Sequence, residues 1–109
     1  MWEFYSNKFK GKENYIKGED STIYLASKKA AKRISQQDKP IKIIIKLRNP
    51  TKRTYSNYNH LLRTSRAIYN FEDTIMKDPH SIISRSLYKT QIENYLKYIP
   101  RERIKFIVF

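Results

Sequence analysis

The chain has 109 residues, no cysteine, and 23 Lys plus Arg against 10 Asp plus Glu, for a formal net charge of +13. That length allows one domain at most, and the missing thiols exclude disulfides and thiolate metal sites. So dense a positive charge implies an anionic partner, whether a nucleotide, an acidic glycan or a nucleic acid, although an AT-rich genome also yields chains rich in Lys, Ile, Asn and Tyr.

The start, Met1-Trp2-Glu3-Phe4-Tyr5, is soon charged and has no apolar region of signal-peptide type. No apolar run approaches the roughly 20 residues of a membrane span, so a cytoplasmic location is the default expectation for this chain. Residues 1–17 carry Trp2, Phe4, Tyr5, Phe9 and Tyr15 without a steady period. They read as a loop or short helix whose aromatics pack on a core; such a mixture with cations can also stack on bases. Lys17 to Leu25 ends in a short extended piece or turn. Ser27 to Ser35 is expected to be a helix with Ser27 as N-cap. Ala30, Ala31 and Ile34 give it a thin apolar face, and Lys28, Lys29, Lys32 and Arg33 a solvated one. Gln36 to Pro40 is the turn that follows.

Ile41 to Leu47 is a short β-branched run bounded by breakers, which predicts a mostly buried strand. Pro40 blocks a helix from running into it, and Pro50 suits a loop or a first helical turn. Arg48-Asn49-Pro50 is therefore a loop, and a polar helix starts at Thr51. Leu61, Leu62, Ile68 and Tyr69 fall roughly at helical spacing, so this helix is expected to continue to Asn70. In an open α/β sheet, ligands sit beyond the carboxyl ends of the strands. Arg48 lies at that end and Ser56 about two turns into the helix. An Arg fork and a hydroxyl so placed can hold a phosphate together. The same pattern equally suits an Arg ending a strand and a Ser on a solvated helix face. His60 reads as a surface or packing residue, and His80 lies in a Lys77-Asp78-Pro79-His80 turn; neither is spaced with a partner for metal binding.

Phe71 to Ile83 gives no clear assignment. Ser84 to Ile99 predicts a helix that buries Leu87, Tyr88, Gln91, Ile92, Tyr95, Leu96 and Ile99 along one side, and Pro100 stops it. Arg85 near its start either faces a ligand or is a surface cation. Arg103 to Phe109 is a second strand, expected to run parallel to the first through a right-handed crossover.

Ile43-Ile44-Ile45-Lys46-Leu47-Arg48-Asn49-Pro50, followed by Arg53-Thr54-Tyr55-Ser56-Asn57-Tyr58, resembles the 3′-phosphate-binding segment of sulfotransferases that use 3′-phosphoadenosine 5′-phosphosulfate (PAPS). The Golgi-type and bacterial carbohydrate sulfotransferases are most similar. Their segment reads hydrophobic strand, Leu-Arg-(Asn/Asp)-Pro, two residues, Arg, then Ala-Tyr-Ser-x-Tyr; Thr54 stands where Ala is common. Gly18-Glu19-Asp20-Ser21-Thr22-Ile23-Tyr24-Leu25 resembles the family's Gly-Glu-x-(Ser/Thr)-Pro-x-Tyr-Leu, with Thr22 in place of Pro. Arg85 to Ile92, Tyr95-Leu96 and Ile99-Pro100-Arg101-Glu102 resemble the helix and turn that follow. The three segments stand in the family's order and span residues 17–109, leaving 1–16 unassigned. The resemblance implies that Arg48 and Ser56 bind the 3′-phosphate of PAPS. Arg53 would be a supporting cation or a structural partner, and Arg85 a further candidate contact.

The family's glycine-rich Lys-x-Gly-Thr loop, which cradles the 5′-phosphosulfate on backbone amides, has no counterpart. Gly11-Lys12-Glu13 follows no strand and has no Ser or Thr after the Lys. Glu13 is only a superficial match to the family's catalytic Glu, so no catalytic residue is assigned. The resemblance thus implies an α/β fold, a partial P-loop-like sulfotransferase domain with a short parallel sheet flanked by helices. It implies PAPS as cosubstrate, a hydroxyl or amine acceptor on a carbohydrate, no metal, and no activity from these residues alone. A fragment, a split gene or a decayed copy would all look like this. The rival reading is a small basic nucleic-acid-binding protein, which accounts for the charge and the Tyr content but not for the ordered matches. A remnant that keeps the fold and binds nothing specific is a further reading.

Overall fold

Two short strands lie at the centre of the molecule. A computed structural model describes residues 2–109. Strand β1 is Ile43–Leu47 and strand β2 is Ile104–Val108; they pair in parallel, Ile43 against Ile104 and Leu47 against Val108. The expected α/β architecture with a parallel sheet is therefore present. Among the described residues six α-helices accompany the strands: α1 (Trp2–Asn7), α2 (Ala30–Ser35), α3 (Pro50–Arg63), α4 (Phe71–Lys77), α5 (Pro79–Ile82) and α6 (Tyr88–Tyr98).

One face of the sheet is packed. Ile45 and Ile104 meet Ala31 of α2 and Tyr95 and Ile99 of α6 or its end, with Leu25, Ile34, Ile43, Leu47, Tyr98 and Phe106 around them. The Tyr95 hydroxyl donates to the Tyr24 carbonyl at 2.9 Å, tying residues 24–28 to this core. Burial raises the Tyr95 phenol above its ordinary value, and the nearby Tyr24 adds to the shift. The other face of the sheet is open. β1 accordingly alternates instead of being mostly buried: Ile45 is buried, Ile44 and Lys46 are exposed, and Ile41 lies before the strand and exposed. A parallel strand is buried on both sides only where helices cover both faces; here α2 and α6 cover one.

A second cluster sits under α3. Tyr58, Thr54, Ile82, Thr74 and Ser86 are its buried members. Phe71 meets the rings of Tyr55 and Tyr58 edge-on, with centroids 5.4 and 5.3 Å away.

Several helix boundaries differ from the sequence reading. Helix α2 starts at Ala30, with Lys29 at the N-cap position and no side-chain cap, so Ser27 does not cap it. Ser27 instead closes a turn on the Tyr24 carbonyl. Helix α3 stops at Arg63 instead of running to Asn70. The Thr64 hydroxyl bonds back to the His60 carbonyl at 2.9 Å, Ser65 adopts φ 55°, and the amides of Arg66 and Ala67 return to the Leu61 carbonyl. These bonds satisfy the last carbonyls and end the helix. Ile68 is consequently exposed.

Helices α4 and α5 occupy the unassigned stretch. Asn70 caps α4 by accepting from the Asp73 amide, and Pro79 opens α5, so His80 lies in a helix and not in a turn. The expected helix from Ser84 divides into a 3-10 turn at Ser84–Ser86 and α6 from Tyr88. Leu87 between them and Leu96 on α6 are exposed, contrary to expectation, while Tyr95 and Ile99 are buried as expected. In the N-terminal segment α1 is a short helix, but Phe4 and Tyr15 stay exposed and pack on no core; the side chains of Trp2 and Tyr5 lie outside the described set. Among the described residues no helix is long and apolar enough to cross a membrane.

Candidate functional site

The strand-to-helix junction builds the site. Asn49 ends the strand's exit and caps α3, its side chain accepting from the Lys52 amide at 3.1 Å. Pro50 follows at the first helical position, where it has no amide to leave unpaired. This fixes the direction in which α3 leaves the sheet and keeps Arg48 just ahead of the helix N-terminus, where the dipole favours an anion. The first turn of α3 carries no acidic residue.

An open groove of about 590 Å³ runs from this junction along α3. Arg48, Lys52, Ser56, Asn59 and Arg63 line it, with Tyr55 and Leu62 as its apolar members. Their spacing is that of one helix face. The lining combines guanidinium, ammonium, hydroxyl and amide donors and includes no carboxylate. Such a donor set suits a phosphate or another oxyanion. The Tyr55 ring is held edge-on by Phe71, which leaves it more than half exposed on the groove.

Of the sequence candidates, Arg48 and Ser56 share this groove. Arg53 does not line it. Its guanidinium donates to the Ser86 hydroxyl oxygen at 3.3 Å, which also accepts from Thr54 at 3.0 Å. Arg53 thus helps latch α3 onto the 3-10 turn. Arg85 lies exposed in that same turn, beside Ser86 and outside the groove lining. Glu13 does not line the groove either. It accepts from the Gly11 amide at 2.9 Å in an exposed turn that Gly11 enters with φ +78°. Bonds from its own amide and that of Gly11 hold its carboxyl below the ordinary range. Sequence reasoning missed Lys52, Asn59 and Arg63. The signal for them was available: counting from Ser56 four positions back and three and seven forward along a helix reaches all of them.

No protein-family model matches the chain. Its relatives nonetheless agree on one class. Heparan sulfate glucosamine 3-O-sulfotransferase 5 of Mus musculus is 27% identical over 129 aligned positions, covering 91% of this chain and 37% of that protein. Heparan sulfate glucosamine 3-O-sulfotransferase 3B1 of Homo sapiens is 26% identical, covering 87% and 26% respectively. The crystal structure of a sulfotransferase from Alicyclobacillus acidocaldarius superposes with a TM-score of 0.79 at 29% identity, over 97% of this chain and 47% of that one. In fold and in sequence the chain is therefore similar to sulfotransferases. The similarity covers part of those proteins: the chain spans less than half of each relative named here.

Proposed function

We propose that this chain carries the 3′-phosphate-binding part of a PAPS-dependent sulfotransferase that acts on a carbohydrate. The observation that carries the reading is the meeting of Arg48 and Ser56 in one cationic groove at the carboxyl end of β1. Arg48 supplies charge-assisted bonds to the phosphate, Ser56 a neutral one, and Lys52 a point charge nearby. The carbohydrate acceptor is taken from the names of the relatives, which act on heparan sulfate glucosamine.

Sulfuryl transfer needs positive charge around the transferring group and a base on the acceptor hydroxyl or amine. The groove residues offer the first only at the 3′-phosphate end, and none of them is a base. The chain's own contribution is to bind and orient the nucleotide, not to move a proton. An assay with PAPS and a desulfated heparan acceptor is expected to give no turnover from these 109 residues; turnover above background would contradict that part of the reading.

The competing reading, a nucleic-acid binder, predicts something different. Its affinity for a random oligonucleotide should fall steeply with salt as lysines and arginines release counterions. Adenosine 3′,5′-bisphosphate should then fail to compete at millimolar concentration. Under our reading the bisphosphate competes, and Arg48→Ala weakens that competition about 30-fold.

A further inference from the structure

The donors that line the groove extend further than one phosphate can reach. A phosphate on Arg48 and Ser56 occupies the end at the strand exit, and Asn59 and Arg63 lie beyond it on the same wall. Lys52, Ser56, Asn59 and Arg63 follow at intervals of four, three and four, so they form one row along α3. At about 1.5 Å of rise per residue, Arg63 leaves the helix roughly 11 Å beyond Ser56. The rotation that presents this row is fixed from behind: Thr54 bonds to Ser86, Asn57 to the Ser81 carbonyl and Tyr58 to the Tyr69 carbonyl. The row thus depends on the sequence of α3 and on these bonds, not on how much surface around it is open.

The two sides of α3 use their polar groups differently. Arg53, Thr54, Asn57 and Tyr58, on the side that packs, all donate to protein acceptors. Arg48, Lys52, Ser56, Asn59 and Arg63 donate no side-chain bond to a described residue and enter no ion pair with one. Asn59 is nonetheless half-buried. Covering such a row is costly unless anions meet it, so it calls for oxyanions along its whole length and not only at Arg48. The two ends are backed differently. At the strand exit the helix N-terminus adds its dipole to Arg48. Arg63 stands in the last turn, where the dipole opposes an anion, so an oxyanion there is held by the guanidinium fork and the Asn59 amide alone. The dipole also suits a lone cation at this end, but it gives no reason for the amide one turn back in the same row.

We infer that Asn59 and Arg63 form a second oxyanion subsite, which takes a sulfate or carboxylate group of a second ligand while Arg48 and Ser56 hold the nucleotide's 3′-phosphate. The identity of the first anion rests on the function proposed above; the second subsite rests on the row itself. The 5′-group of the same nucleotide fits poorly, because both phosphates hang from one ribose and lie closer together than two turns of helix. The second ligand that the proposed reaction supplies is the carbohydrate acceptor. That acceptor is therefore expected to carry an anionic group of its own before it is sulfated.

Protein NMR on the full chain, at about 0.15 M salt to screen unspecific attraction, reads the two subsites separately. The probes are adenosine 3′,5′-bisphosphate, N-acetylglucosamine 6-sulfate and unsulfated N-acetylglucosamine. With the bisphosphate present in excess, the sulfated sugar should shift the amides of residues 59–64 saturably, and the unsulfated sugar should not. Arg63→Gln should weaken the sulfated sugar about fivefold and change bisphosphate affinity less than about twofold. Asn59→Ala, with circular dichroism unchanged, should weaken the sulfated sugar by a smaller factor. No binding of the sulfated sugar, its displacement by the bisphosphate, equal shifts from the unsulfated sugar, or binding that survives Arg63→Gln would overturn the inference. So would an equal loss of bisphosphate affinity in Arg63→Gln, since the second anion would then be the nucleotide's own. If the bisphosphate fails to bind while the sulfated sugar still depends on Arg63, the second subsite stands and the function proposed above falls.

Discussion

The two buried clusters of this protein are built by different means. The cluster beneath the sheet is almost wholly apolar, with Ala31, Ile45, Tyr95, Ile99 and Ile104 packed together. The cluster beneath α3 is half polar. Thr54, Arg53 and Ser86 share one hydroxyl, Asn57 donates to the Ser81 carbonyl at 3.0 Å, and Tyr58 to the Tyr69 carbonyl at 2.9 Å. The first cluster gains from area removed from water and tolerates no voids. The second gains mainly from directional bonds, each worth little net but costly to leave unmade. The difference has a functional reading. The apolar cluster holds the strand that leads into Arg48, whereas the polar one fixes the rotation of α3, and so which of its faces lines the groove.

The comparison can be broken at its largest expected effect first. Ile99 is fully buried between α6 and the sheet, so Ile99→Ala should cost about 3 kcal/mol in denaturant unfolding. A loss below about 1 kcal/mol would mean that the sheet core is not the main source of stability. Arg48→Ala should leave the unfolding midpoint unchanged and weaken adenosine 3′,5′-bisphosphate binding about 30-fold, the worth of hydrogen bonds to a charged group. Ser86→Ala removes the shared acceptor and leaves the Thr54 hydroxyl and the Arg53 guanidinium without it. Stability should fall by about 1–2 kcal/mol, and nucleotide affinity should fall with it if α3 rotates as argued.

Tyr95→Phe should cost about 1 kcal/mol at neutral pH through the lost bond to Tyr24. Its pH dependence sharpens the picture. The folded protein holds the Tyr95 phenol above its ordinary value of 10.0, chiefly by burial. Its contribution is therefore complete below pH 10 and is lost as pH rises through the folded value. The wild type should lose stability above pH 10 more steeply than Tyr95→Phe, as followed by chemical unfolding at stepped alkaline pH.

Much of the sheet region could be read from the sequence. The β-branched run Ile41 to Leu47, the breaker Pro50 and the spacing of Tyr95 and Ile99 are local signals; Pro50, Tyr95 and Ile99 fell where expected, whereas the strand starts only at Ile43 and is buried on one face. The α3 region was less legible because its determinants are remote or lie in single side chains. The Thr54–Ser86 bond joins residues 32 positions apart, and no local pattern announces it. The end of α3 depends on Ser65 accepting a left-handed backbone and on Thr64 bonding back on its own turn; the apolar residues beyond continued the helical spacing and pointed the other way. Arg53 carried the same charge as Arg48 within a motif-like segment, so sequence alone left its role open; its bond to Ser86, 33 positions away, has no local signal. Arg48 and Ser56 were legible because a strand end and a helix face are both short-range features, and the groove between them follows from those two.

The central claim is that Arg48 and Ser56 form one anion site, and a single titration tests it most directly. Adenosine 3′,5′-bisphosphate is added to the wild type, to Arg48→Ala, to Ser56→Ala and to Arg85→Ala, at two salt concentrations. The groove is open and its cations are solvated, so affinity should be modest and should weaken with salt. The account predicts saturable binding in the wild type and in Arg85→Ala, with loss in both groove variants. Binding that is unchanged in Arg48→Ala and Ser56→Ala, or absent from the wild type, would contradict it.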